Sequence, residues 1–128
     1  MAKTHRARNI KERVQQTIEW CRDESPTQYP VHVRWVPELT CKSQATSSRR
    51  GRKFNIELSW RRLRGSWSLA NDAVMHEWAH CAVWQEHRAL GDHPPEFWIE
   101  YGRLYGLWFD EGGAEDSRDL PIRRVRIR

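Results

Sequence analysis

The sequence predicts an α+β fold, and three observations predict it. Helical periodicity governs residues 8–22, a period of two takes over between Val31 and Trp60, and helical spacing returns from Leu69 to Trp108. The expected architecture is an N-terminal helix, a small antiparallel sheet, an active helix and a second, C-terminal helix. At 128 residues the chain fits one domain with a modest core.

Each element has its own signal. Ile10, Val14, Ile18 and Cys21 share one helical face, and Pro26 and Pro30 end that pattern. In YPVHVRWVP, Val31, Val33 and Trp35 alternate with His32 and Arg34, and Pro37 closes the strand. CKSQATSSRRGRKF predicts a weak strand and a turn at Arg50-Gly51. FNIELSW alternates again through Phe54, Ile56, Leu58 and Trp60, giving two or three antiparallel strands in all. After a basic turn from Arg61 to Gly65, Ser66 or Ser68 caps a helix with Asp72 in its first turn. Apolar residues then occupy nearly every face from Leu69 to about Ala89, as in a helix buried on most sides, and Gly91 stops it. Pro94 and Pro95, with Asp92 as a cap, open the last helix, in which Phe97, Trp98, Tyr101, Leu104, Tyr105 and Trp108 are helically spaced. Residues 1–110 therefore form the domain, and 111–128 a polar linker and a basic arm, PIRRVRIR.

Charge and cysteine usage narrow the function. Twenty-two basic against 17 acidic residues give a net charge of +5, with arginines clustered at 49–52, 61–64 and 123–128. Arginine suits phosphate, so DNA or another polyanion is a candidate partner, and a solvated surface is the plainer reading. Three cysteines, Cys21, Cys41 and Cys81, form no C-x-x-C pair, which argues against a zinc ribbon or a disulfide framework. MAKTHRARNIKER has no apolar leader character, and nowhere do about eighteen apolar residues run together. A soluble, cytoplasmic protein with no membrane partner is expected.

The chemistry concentrates in VMHEWAHCAVW. His76 and His80, four apart on a helix, project from one face and can converge on one ion at about 2.0–2.1 Å. Glu77 points to the side of that stripe, where it can take a proton from a metal-activated water. The plainer alternative is that these groups satisfy one another or lie at an exposed edge. A catalytic zinc needs a third protein ligand. On a continuing helix His87 would lie about 10 Å beyond His80. The long H-E-x-x-H-x-x-G-x-x-H form fails at Val83 and Glu86. Two candidates remain beyond Gly91: His93, which a chain reversal would bring back, and Glu100. His93 is preferred.

These residues resemble the SprT-like family of minimal zinc metallopeptidases, whose pattern is H-E-x-x-H, then a third histidine and a phenylalanine four residues later. Here that is His76-Glu77-Trp78-Ala79-His80, then His93 and Phe97, in a match extending over residues 54–105. Asp92 and Pro94 stand where that family tends to carry glycines, and Leu104 replaces an aspartate that follows the glutamate ligand in gluzincins. The resemblance implies a zincin-like minimal domain in which His76, His80 and His93 hold Zn2+. Glu77 would then be general base and later proton donor, and a protein or peptide would be the substrate. Family members act on proteins crosslinked to DNA, so DNA-associated proteins are an expected substrate class. Small phage proteins share this appearance, which places a phage-infected host among the expected settings.

Two rival expectations stand beside this one. YgjP-like hydrolases carry nearly the same constellation, for which a non-peptide substrate such as a nucleotide is the alternative. A nucleic-acid-binding module with structural zinc is the other. Tyr101 and Tyr105 could stabilise an oxyanion but are more simply core aromatics. Trp78 and Trp84 are most simply core, with a substrate groove as the other reading.

Overall fold

The computed structural model describes residues 9–84 and 93–110. The expected cap Asp92, the stop at Gly91, His87 and the 111–128 arm lie outside the described residues. The chain is mixed α and β in the order α1 (Ile10–Glu24), β1 (Val31–Val36), β2 (Ala45–Arg50), β3 (Lys53–Ser59), α2 (Trp60–Leu63), α3 (Trp67–Ala82) and α4 (Pro95–Asp110). No helix among the described residues is long and apolar enough to cross a membrane.

Helix α1 starts where Asn9 Oδ1 accepts from the Glu12 amide at 3.0 Å, with Glu12 in the first turn and Arg22 in the last. Its buried stripe is Val14, Thr17, Ile18 and Cys21. Thr17 was not an expected core position. Its hydroxyl is satisfied by the Arg13 carbonyl at 3.3 Å and by the Asn71 side chain of α3. The helix ends as Ser25 N–H donates to the Cys21 carbonyl at 2.8 Å, just before Pro26.

The sheet has the order β1-β3-β2 and is mixed, which corrects the expectation of antiparallel strands throughout. β2 and β3 form the expected hairpin across Gly51, whose φ of 61° suits a residue without a Cβ. β1 runs parallel to β3, with Val31 opposite Phe54 and Trp35 opposite Leu58. Alternation tells which face a residue takes, not the direction of the neighbouring strand. β3 holds the centre because Phe54, Ile56 and Leu58 are fully buried. Each is worth about 1.5–3 kcal/mol relative to exposure. Segment 37–44 therefore crosses the end of β3, a span of about 10 Å. The buried Leu39 side chain anchors it.

Helix α3 is capped by Ser66, whose Oγ accepts from the Leu69 amide at 3.1 Å. Asp72 thus falls beyond the first turn rather than within it. The helix packs on α1, the sheet and α4. It ends at Ala82, short of the expected Ala89. Val83 and Trp84 still donate to the Ala79 and Cys81 carbonyls, while the Trp84 ring turns onto Phe54 at 5.4 Å. That aromatic contact competes with continuing the helix. The expected basic turn contains α2, a single helical turn capped by Ser59. Pro95 opens α4 at the position where a missing N–H costs nothing, and the Pro94 carbonyl accepts from Phe97 and Trp98 at 2.9 and 3.3 Å.

Candidate metal centre

Three expected residues come together. His76 and His80 stand one turn apart on α3, their ring centroids 5.1 Å from each other. His93 lies two residues ahead of α4, and its Nε2 is 3.3 Å from His76 Nε2. One ligating nitrogen from each of the three rings lies within 4.8 Å of the others. Two nitrogens bound tetrahedrally to one zinc at about 2.0–2.1 Å would stand roughly 3.3–3.4 Å apart. The His76–His93 separation has that value. The donor set fits zinc: three imidazoles, with no further His, Cys, Asp or Glu in the group among the described residues.

Burial sets the electrostatics. His76 and His80 are half-buried and His93 is exposed, so the cluster opens to solvent on the side of His93. Loss of hydration lowers the His80 pKa to about 4, helped by the neighbouring His76 and His93 rings. His76 is lowered by burial and by His93, against an opposing pull from Asp72. Neutral rings keep their lone pairs, the form a metal requires.

Phe97 underlies all three rings. It is fully buried, and its centroid lies 4.8, 4.3 and 4.7 Å from those of His76, His80 and His93. The ring is stacked on His80, with 24° between the planes. Four residues after His93, this side chain supports the imidazoles from below.

Glu77 leaves α3 towards β2 and is only 9% exposed. Burial raises its pKa, and a hydrogen bond with the Ser47 side chain partly offsets the rise. Nothing in the polar strand ATSSRR marked Ser47 beforehand. The cross-strand register places it opposite Ile56, on the helix-covered face of the sheet.

Glu100, the rival third ligand, is committed elsewhere. Ser25 Oγ donates to it at 2.5 Å, and Arg103 donates twice, at 3.0 and 2.7 Å. Tyr101 likewise has a partner: its hydroxyl donates to the Asp72 carboxylate, its ring is 5.4 Å from His76, and its pKa is raised by burial and by Asp72. Asp72, one turn before His76, went unnamed as a site residue. Its spacing on the histidine stripe was the available signal. Tyr105 contacts Tyr101 and Phe109. Trp78 is core, donating its indole N–H to the Ser25 carbonyl at 2.8 Å. A groove of about 740 Å³ between α1 and β1 reaches α3 only at Trp78, on the face away from the histidines.

No protein-family model and no curated protein matches this sequence.

Proposed function

We propose that the chain is a zinc-dependent peptidase of the SprT-like kind, with His76, His80 and His93 as metal ligands and Glu77 as general base. The observation that carries this reading is the convergence of three imidazoles from α3 and the residues just ahead of α4, beside a buried carboxylate. Zinc bound there would supply Lewis acidity, enough to bring the pKa of a water to about 7. The chain's own residues do the rest. Phe97 fixes the ring planes. Ser47 holds the Glu77 carboxylate, whose pKa is raised by burial, a shift that strengthens it as a base able to accept a proton and return it to a leaving amine.

The sheet favours a polypeptide. β2 is an edge strand packed beside α3, and its side chain at Ser47 reaches Glu77. Ser59 N–H donates to the Gln44 carbonyl, so ladder alternation turns the N–H and C=O of Ser47 towards the open edge. An extended peptide can pair there and run past Glu77. A phosphate ester would call for cations near the histidines. Arg103 is the single basic residue of α3 and α4 apart from histidine, and it is folded onto Glu100 and the Glu24 carbonyl. DNA-associated substrates rest on the resemblance and the arginine clusters rather than on the site. Arg61 and Arg62 of those clusters lie against Glu38 at 3.8 and 3.4 Å.

Zinc content and hydrolysis of an unfolded protein substrate test the reading. Wild type should carry one zinc and cleave. Glu77→Gln should keep the zinc and lose at least about 100-fold in rate, and His93→Ala should lose the zinc. A Glu77→Gln protein as active as wild type would sink the proposal.

A further inference from the structure

All eight tryptophans fall within the described residues, and Trp98 alone is exposed, at 53%. Trp67, Trp78 and Trp108 are buried, and the remaining four are half-buried. The one exposed indole stands beside the histidines. Its centroid is 5.4 Å from His93, tilted by 41°, and 5.0 Å from Phe97 in an edge contact. Tyr101 flanks it at 6.3 Å. The ring is thus held from below and on one side while more than half its surface faces water. Leaving so large an apolar surface in water forgoes burial energy that the other tryptophans collect. Ile99, 71% exposed, follows it directly.

We propose that Trp98 determines specificity: it forms the wall of a subsite that takes a large apolar or aromatic side chain of the polypeptide next to the scissile bond. This rests on the zinc-peptidase reading. The position follows from His93, since a group bound at the open side of the histidine cluster lies alongside the ring that contacts Trp98. The chemistry follows from what surrounds the indole. Phe97 and Tyr101 are aromatic, the next residue Ile99 is apolar, Arg103 is occupied by Glu100, and the nearest charges in sequence, Glu96 and Glu100, are both acidic. Such a wall favours a phenylalanine-like side chain by stacking and disfavours an acidic one.

Small hydroxamates, which chelate zinc, test the subsite without requiring turnover. The probes are the hydroxamates of N-acetylphenylalanine, N-acetylglycine and N-acetylaspartate, titrated calorimetrically into the zinc-loaded full chain. The phenylalanine probe should bind wild type about tenfold tighter than the glycine probe, and the aspartate probe no tighter than glycine. Trp98→Ala should bring the phenylalanine-to-glycine ratio close to one while leaving the glycine affinity unchanged. Trp98→Phe should keep most of the preference. Glycine-probe binding with no phenylalanine preference in wild type, or a preference that survives in Trp98→Ala, overturns the subsite and leaves the zinc reading intact. A chain that takes up no zinc, or whose zinc binds none of the probes, overturns both.

Discussion

The two faces of α3 make unequal use of polar residues. Towards α1, Asn71, Val74 and Trp78 are at most 1% exposed; Thr17 donates to Asn71 Oδ1 and Trp78 to the Ser25 carbonyl, while Asn71 Nδ2 has no hydrogen-bond partner. Towards α4, Asp72, His76 and His80 are half-buried. Asp72 receives the Tyr101 hydroxyl, while His76 and His80 meet aromatic rings and one another. One helix therefore carries a fully buried face tied to α1 by two side-chain hydrogen bonds and a half-buried face on which imidazole nitrogens gather. The second face is the one that brings metal-ligating atoms together.

Substitutions on the two faces should separate binding from folding. His76→Ala should cost at least about 100-fold in zinc affinity and leave the apo protein folded, by metal titration and circular dichroism. Trp78→Ala should cost about 3–5 kcal/mol of stability in chemical denaturation, through the cavity and the orphaned Ser25 carbonyl. If both variants bind zinc equally and unfold alike, the division between the faces does not exist.

A smaller effect is expected from the hydrogen bond between α4 and the histidine face. Tyr101→Phe removes the donor to Asp72 and frees the carboxylate beside His76. Zinc affinity should drop about tenfold with a stability loss of roughly 1 kcal/mol. An unchanged affinity would make the pair a plain packing contact.

The smallest prediction concerns pH in the metal-free protein. His80 in the folded state titrates at about 4, below the ordinary histidine value of 6.5, so the unfolded chain binds more protons between those values. Stability should accordingly fall as pH drops through 6.5 towards 4. Glu77 acts with the opposite sign, because its raised pKa lets the folded state take up a proton first. The Glu77→Gln variant isolates the histidines. Its melting temperature without metal should fall between pH 7.5 and 5.5, and a flat profile would contradict the lowered imidazole.

The candidate site was legible where chemistry is local. His76 and His80 follow from a spacing of four on a helix, and Glu77 from its place on the side of that stripe. His93 is preferred to Glu100 on sequence, and what ties Glu100 away from the histidine cluster is Ser25, 75 residues away in the chain, together with Arg103. No local pattern reports such a contact. The α+β layout was legible for the same reason, since Phe54, Ile56 and Leu58 alternate and α1 repeats its apolar stripe. Strand direction was not, because β1 carries one alternation whether it runs with β3 or against it. Nor was the early end of α3, just past which Trp84 meets Phe54, a residue far off in the chain.

Glu100 and Tyr101 are consecutive, and on a helix consecutive side chains leave about 100° apart. One is tied to the end of α1 and the other to the flank of α3. Together they fix the roll of α4 about its own axis as a key fixes a shaft. A helix free to turn by even one residue's angle would swing Phe97 out from beneath the imidazoles. The aim of the third histidine is thus set by torsional constraint from two directions about 100° apart, at residues that need never touch a metal.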